Sequence, residues 1–183
     1  MTKQLKITEL GNPILRKEAG KVKNIIDEKI QNLIDDMIYT VSNVKGVGIA
    51  APQVSKSFQI FIICSNPNSR YPDAPEMKAA AIINPKIIST SYEEEFDWEG
   101  CLSIPKLRGL VPRHTSIDVS YTDRFGNNKN ETFTDFPARI FQHEYDHLNG
   151  LVFLDRIESS EDLITENEYV KLINEQMDAE KNK

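Results

Sequence analysis

One short segment, His143-Glu144-Tyr145-Asp146-His147, constrains the fold and the chemistry of this chain more than any other. Residues four apart lie above one another on the same face of an α-helix, so both imidazoles can reach one metal ion. The glutamate between them lies off that line, beside the metal, where its carboxylate can take a proton from a bound water. Only three histidines occur in the chain, and two of them stand here. The segment therefore predicts a helix that carries a metal-dependent hydrolytic site.

The length and composition indicate a soluble globular protein. A chain of 183 residues with 39% hydrophobic and 27% charged residues fits one domain with a sizeable core. The net charge of −6 argues against a protein whose main task is to bind nucleic acid. The first ten residues contain no uninterrupted apolar run, so we expect no signal peptide, and we expect no membrane span later. We expect a single domain over residues 1–183, a cytoplasmic location and, by default, a monomer.

Hydrophobic periodicity predicts helices at the flanks and strands in the middle of the chain. Apolar residues recur at helical spacing over residues 27–43, and a second helix is expected from Pro137 through the histidine motif to a cap at Gly150. A final helix is expected over residues 165–179. Turn signals and β-branched runs predict a loop at 66–75, a hairpin at 124–128 and strands at 58–64, 80–89, 91–97, 116–123 and 129–136. This order predicts an α+β fold.

A hydrolytic metal site of this kind normally takes three protein ligands and one water, so a third ligand is needed. Cys101, in Glu99-Gly100-Cys101-Leu102-Ser103, is the best candidate because it follows a predicted strand and stands among polar neighbours. Gly100 leaves room for close approach of metal and substrate. Cys64 instead ends a run of β-branched and aromatic residues, where cysteine behaves as a small core hydrophobe. We expect Cys101 to bind the metal and Cys64 to lie in the core.

The run Gly46-Val47-Gly48-Ile49-Ala50-Ala51-Pro52-Gln53 has the glycines of a phosphate-binding loop but not its spacing. It lacks the third glycine of the dinucleotide fingerprint and the Gly-Lys-Ser/Thr of the phosphate loop. Gln53 places a neutral amide donor beside glycine-rich backbone, along which an extended peptide can lie. The run therefore favours peptide binding.

Together these three segments resemble, in this order, the signature motifs of the peptide deformylases. They are the runs 46–53, 99–103 and 142–147, and the similarity also takes in 12–16 and Pro112-Arg113. The resemblance implies removal of the formyl group from the N-terminal formyl-methionine of newly made polypeptides. It also implies β-sheets packed around a central helix that carries the His-Glu-x-x-His motif, with an N-terminal and a C-terminal helix.

The resemblance further implies a role for each matched residue. Glu144 would be the catalytic glutamate, and Gln53 and the backbone N–H of Leu102 would stabilise the transition state. One divalent ion is expected, Fe²⁺ in the cell, with Zn²⁺, Ni²⁺ and Co²⁺ as alternatives that the same donors accept. The implied metal ligands are Cys101, His143 and His147. The implied substrate-binding residues are Gly46, Val47, Gly48 and Gly100.

Two features depart from the usual pattern of that family. Arg139 shares a helical face with His143, where the pocket wall for the methionine side chain is usually apolar. Its aliphatic stem either lines the pocket mouth or points away. The fine specificity for the substrate side chain is therefore left open. The second departure is the tail, residues 158–183, which carries eight acidic residues and three lysines.

The acidic tail bears on the expected partners. Some bacterial members dock on the ribosome through a basic C-terminal helix, whereas RNA would repel this one. We expect a helical tail that packs one apolar stripe on the domain. The stripe residues are Leu163, Ile164, Tyr169, Leu172 and Ile173. The expected partners are N-formyl-methionyl nascent polypeptides, with at most a transient ribosome contact.

Two other classes of protein share parts of this pattern. A zinc peptidase has the same histidine motif but usually takes its third ligand from a downstream residue, for which Glu158, Glu161 and Glu166 are available. A non-enzymatic metal-binding module would normally use a fourth protein ligand in place of water. A smaller ambiguity concerns Asp146, which can orient a histidine or pair with Arg113.

Overall fold

The structure is a computed structural model that describes residues 2–65, 67 and 74–181. Three α-helices lie within these ranges: α1 (Glu28–Asn43), α2 (Asp135–Leu148) and α3 (Glu166–Lys181). The strands are β1 (Gly48–Ala50), β2 (Ile60–Ser65), β3 (Met77–Thr90), β4 (Glu94–Cys101), β5 (Ile104–His114), β6 (Ser116–Thr122), β7 (Asn128–Thr134) and β8 (Leu163–Thr165). No helix in this part of the chain is long and apolar enough to cross a membrane.

The strands form two antiparallel sheets. One sheet has the order β1-β2-β3-β6-β7, and the other has the order β4-β5-β8. Helix α2 packs against β1, β2, β6 and β7 of the first sheet and against β5 of the second. The helix with the histidine motif therefore lies between the two sheets. The predicted α+β class, with sheets around this central helix, is confirmed.

Both long predicted helices have the expected end signals. The Asp27 side chain caps α1 by accepting from Lys29 N at 2.9 Å, which confirms the helix expected over 27–43. Helix α2 begins at Asp135, two residues before Pro137. Gly150 follows α2 with φ +72°, and a Cβ there would lie 2.8 Å from the carbonyl carbon of Arg16. Only glycine fits this cap.

Strand β2 is buried on both faces, which explains its continuous apolar sequence. Ile60, Ile62 and Cys64 point toward α1, whereas Phe61 and Ile63 point toward α2. The Phe61 and Phe141 rings lie edge to face at 5.0 Å between centroids. Cys64 is therefore a core residue, as predicted.

The sequence patterns misplaced one strand and did not predict three others. The strand expected at 91–97 begins later and continues to Cys101, and β1, β5 and β8 were not predicted. The residues of β5 include a glycine, two prolines and two arginines, which argue against a strand until its pairing with β4 is known. The tail is not helical throughout, because a 3₁₀ turn and β8 precede α3. The loop expected at 66–75 lies mostly outside the described residues.

Candidate metal centre and peptide cleft

Three side chains that are distant in sequence converge at the inner face of α2. His143 and His147 lie one turn apart, with ring centroids 5.2 Å apart, and Cys101 Sγ lies 3.3 Å from His147 Nε2. One ligand atom from each of these residues lies within 4.8 Å of the others. Cys101 and His147 are buried, and the His143 side chain is 11% exposed. The structure thus brings together the predicted ligand triad.

A tight turn places Cys101 beside α2. Cys101 pairs with Ile104 across the end of the β4–β5 hairpin, so Leu102 and Ser103 are its two turn residues. The Ser103 carbonyl accepts from Leu10 N at 2.8 Å, which ties the turn to the N-terminal segment. The cysteine is therefore held by a hairpin whose turn is anchored from outside.

Glu99 is a functional residue that the sequence analysis missed. Its Oε2 lies 2.8 Å from His143 Nδ1, so an N–H there donates to the carboxylate and leaves Nε2 for a metal. Burial raises the pKa of Glu99, but Arg113 and His143 more than offset this and hold it well below its ordinary value. Burial lowers the pKa of His143, whereas Cys101 and Glu99 raise it well above its ordinary value. The sequence signal that could have identified Glu99 was its position two residues before the candidate cysteine.

Two buried arginines hold the Glu99 carboxylate. Arg113 donates to both of its oxygens, at 2.9 and 3.0 Å, and Arg139 donates to Oε1 at 3.1 Å. Arg139 also donates to the carbonyls of Val111 at 2.9 Å and Glu95 at 2.6 Å. The Arg139 stem lines the cleft while its guanidinium is buried beside Glu99, so this residue presents no free charge to a substrate side chain.

Asp146 pairs with arginines and not with a histidine. Its Oδ2 accepts from Arg113 at 2.6 Å, and its Oδ1 accepts from Arg156 at 2.6 Å. Arg113 therefore links Asp146 on α2 to Glu99 on β4. This resolves the ambiguity in favour of the arginine pair.

Glu144 lies against Gly48 on the edge strand β1. A Cβ on Gly48 would lie 2.3 Å from Glu144 Oε1 and 2.8 Å from its Cδ. The glycine therefore makes room for the carboxylate, a reason that the sequence analysis did not give. Burial raises the pKa of Glu144 to about 7, while His143 lowers it. Its Oε2 is buried without a hydrogen-bond partner among the described residues.

The Gln53 amide has a fixed orientation. Its Oε1 accepts from Ala50 N at 2.8 Å, so its Nε2 is the group directed inward. This nitrogen lies 3.4 Å from Cys101 Sγ and 3.2 Å from Ser103 Oγ. The structure thus places an amide donor next to the candidate metal ligands.

A cleft that is partly open to solvent leads to this cluster. Gly46, Val47 and Gly48 form one wall, and they include the start of β1, the edge strand of its sheet. Trp98 and Gly100, both on β4 of the other sheet, form another part of the wall. The remaining lining residues are Gln53, Glu99, Cys101, Leu102, Phe136, Arg139, Ile140, His143 and Glu144. All four predicted substrate-binding residues line one cleft.

The donor set fits a divalent transition metal. One sulfur and two imidazole nitrogens suit iron, zinc, nickel or cobalt, and three protein ligands leave a position for water. The downstream glutamates do not supply the third ligand that a peptidase would need. Glu166 accepts from Arg108 at 2.7 and 2.9 Å, and the side chains of Glu158 and Glu161 are exposed. No fourth ligand joins the triad within the described ranges, as a purely structural site would require.

Known proteins resemble this chain over most of its length. The family model for polypeptide deformylases matches residues 4–162. Peptide deformylase 2 from Nostoc sp. is 59% identical over 169 residues, which cover 92% of this chain and 94% of that protein. A Met-Ala-Ser-bound crystal structure of a class I type b peptide deformylase from Acinetobacter baumannii has a TM-score of 0.83 at 43% identity, covering 86% of this chain and all of that one. A peptide deformylase structure from Thermotoga maritima has a TM-score of 0.77 at 36% identity, covering 86% of this chain and 99% of that one.

Proposed function

The chain belongs to the peptide deformylase family, and we propose that its Cys101, His143 and His147 hold the metal ion of the deformylase reaction. As a member of this family, the protein is a metal-dependent hydrolase that removes the formyl group from the N-terminal formyl-methionine of newly made polypeptides. The observation that carries the proposal is the convergence of three ligand atoms beside the buried Glu144 carboxylate. Fe²⁺ is the proposed ion in the cell, with Zn²⁺, Ni²⁺ and Co²⁺ as ions that the same donors accept.

Bound to Cys101, His143 and His147, a divalent ion would supply Lewis acidity, which lowers the pKa of a water to about 7. Glu144 is placed to accept a proton from the water that attacks the formyl carbon. Glu144 then passes the proton to the methionine nitrogen as the carbon–nitrogen bond breaks, which yields formate and a free amino terminus. Support comes from the burial of Glu144, which in the metal-free protein raises the pKa of its carboxyl to about 7 and so favours a role as proton acceptor.

Two donors are proposed to stabilise the negative charge that builds on the formyl oxygen. Gln53 Nε2 is held inward by the Ala50 N–H···Oε1 hydrogen bond and so needs no reorientation during the reaction. The Leu102 N–H lies in the turn directly after Cys101. One such fixed donor is typically worth about 3 kcal/mol of transition-state stabilisation.

The peptide is proposed to bind in the cleft as an added strand. Gly46, Val47 and Gly48 offer backbone along the start of the edge strand β1, and Gly100 on β4 lines the same cleft. Main-chain hydrogen bonds of this kind give affinity that does not depend on the sequence of the nascent chain. This matches an enzyme that must accept many different polypeptides.

The setting of the enzyme is also proposed. We infer one domain over residues 1–183, with 158–183 as its C-terminal tail, because β8 of the tail pairs with β5. We infer a cytoplasmic monomer that meets N-formyl-methionyl nascent polypeptides where they are made. The acidic tail supports a transient ribosome contact at most, because RNA repels it.

Formate release from formyl-Met-Ala-Ser tests the proposed function. Protein purified without oxygen and loaded with Fe²⁺ should convert the substrate to formate and Met-Ala-Ser. Formate release should stop when the metal is chelated. Acetyl-Met-Ala-Ser serves as the matched control, because its acyl group is larger by one methyl. Cleavage of internal peptide bonds without formate would support a peptidase instead, and turnover that survives complete metal removal would refute the proposed mechanism.

A further inference from the structure

The acidic tail contacts the hairpin that carries Cys101 through an ion pair whose arginine is buried. The Arg108 side chain on β5 is fully buried, and it donates from Nε at 2.7 Å and from Nη2 at 2.9 Å to the two carboxylate oxygens of Glu166. Glu166 is the first residue of α3. A two-point contact of this type fixes orientation as well as distance. Helix α3 is thus fastened to β5 by its first residue.

Arg108 fills a break in the β4–β5 pairing directly beneath the cleft wall. The register shifts between Glu99 and Cys101, so Gly100 lies at the irregular point of the hairpin. A Cβ on Gly100 would lie 3.0 Å from both Cζ and Nε of Arg108. The guanidinium therefore lies against the backbone of Gly100, a residue that lines the cleft.

Tyr169, one turn further along α3, joins the same cluster. The Arg108 Cζ lies 4.7 Å from the centre of the Tyr169 ring, and the Trp98 ring lies 6.2 Å from it. Trp98 and Gly100 both line the cleft. The tail therefore contacts the wall at two points, through Arg108 at Gly100 and through Tyr169 at Trp98.

We propose that Arg108, Glu166 and Tyr169 are positioning residues that hold the Trp98–Gly100 wall of the cleft in place for the peptide substrate. This inference rests on the proposed function of the cleft. Because Trp98 and Gly100 line the cleft while Glu144 belongs to α2, we expect a looser wall to weaken peptide binding more than the chemical step. The tail is then part of the substrate site and not only a stabilising appendage.

The decisive variant is Glu166→Gln, which keeps the size of the side chain and removes its charge. The KM for formyl-Met-Ala-Ser should rise about threefold or more, while kcat stays within about twofold of the wild-type value. This pattern is expected when the substrate and the transition state lose the same amount of binding energy. Metal content should be unchanged. Trp98 is the only tryptophan in the chain, so its fluorescence reports on the wall directly and without turnover. Its emission should shift to the red and become more accessible to acrylamide.

Glu168→Gln is the matched control on the same helix. Glu168 pairs with Lys171 at 2.7 Å, but both side chains are more than half exposed, so this pair holds nothing in the cleft. Its KM and Trp98 emission should match those of the wild type. Tyr169→Leu provides a second variant if Glu166→Gln folds poorly, and it should change the Trp98 signal and KM in the same direction.

A purely structural role predicts something different. In that case Glu166→Gln and Tyr169→Leu would lower the melting temperature but leave KM and Trp98 fluorescence unchanged well below it, and the inference would be overturned. If the wild type itself released no formate, the proposed function would fail, while the Trp98 signal would still show whether α3 positions the wall.

Discussion

Replacing Gly48 by alanine tests whether the position of Glu144 limits the reaction. The added methyl group would lie 2.3 Å from Glu144 Oε1, where an ordinary contact is at least 3.4 Å. The carboxylate must therefore retreat by about 1 Å, and a displacement of this size in a catalytic group costs about 10²-fold in rate. Glu144 is only 4% exposed, so the residues packed around it restrict this movement. We expect kcat to fall by about 10²-fold, or about 2.7 kcal/mol in the barrier.

The assay is formate release from formyl-Met-Ala-Ser with metal content measured on the same sample. Metal binding should be retained, because the atoms nearest an added methyl group at Gly48 belong to Glu144 and not to a ligand residue. Gly46→Ala is the matched control, since its methyl group would lie 3.0 Å from the side chain of Val41 and 3.6 Å from both Leu102 Cδ1 and the Gly48 carbonyl oxygen, and none of these atoms belongs to Glu144. It should lose much less kcat than Gly48→Ala.

A double mutant shows whether the two residues act together. If Gly48→Ala acts by displacing Glu144, it should add little loss to Glu144→Gln, because residues that act as a unit are not additive. Multiplicative losses, or equal losses in Gly46→Ala and Gly48→Ala, would refute the reasoning and indicate a direct effect on peptide binding.

Other consequences of the structure can be measured separately. Glu144→Gln should keep the metal and lose roughly 10²–10⁴-fold in kcat, which kinetic assays and metal analysis check; activity near that of the wild type would exclude Glu144 as the base. Burial raises the pKa of Glu144 to about 7, so the folded metal-free protein binds this proton more tightly than the unfolded chain does. Its stability relative to Glu144→Gln should therefore fall as pH rises from about 4.5 to about 7, measured by urea unfolding; a constant difference would contradict the raised pKa. Arg113→Met leaves two buried carboxylates without this partner and should cost about 3–5 kcal/mol in urea unfolding, and a cost near zero would contradict the burial of this network. Iron-loaded protein should lose activity in air with oxidation at Cys101 by mass spectrometry, because burial raises the pKa of the Cys64 thiol to about 11 and keeps it protonated; oxidation confined to Cys64 would contradict this.

The sequence predicted the elements whose signals are local. Helix α1 has an aspartate cap and a regular apolar face, and the histidine spacing on α2 specifies both a helix and a metal. The candidate ligand Cys101 was found because a cysteine among polar residues has few structural roles. These features could be read without knowledge of the partners in space.

The parts that were missed depend on long-range pairing. Strand β5 carries Arg108 and Arg113, which look like surface residues until Glu166 and Glu99 are seen to neutralise them in the interior. Glu99 was quoted as part of a motif, yet its contact with His143 spans 44 residues and no local pattern specifies it. Gly48 was read as a residue for substrate binding, whereas its packing against Glu144 becomes visible only in three dimensions.

The central claim is that Cys101, His143 and His147 hold one metal ion and leave a position for water. X-ray absorption spectroscopy of the protein loaded with one equivalent of Zn²⁺ tests it most directly, because zinc has no redox chemistry to alter the thiolate. We predict one sulfur at about 2.3 Å, two nitrogens at about 2.0–2.1 Å and one further light atom from water. Cys101→Ser should remove the sulfur contribution and nothing else from the first shell. A spectrum without sulfur, or one with four protein ligands and no water, would contradict the proposed centre.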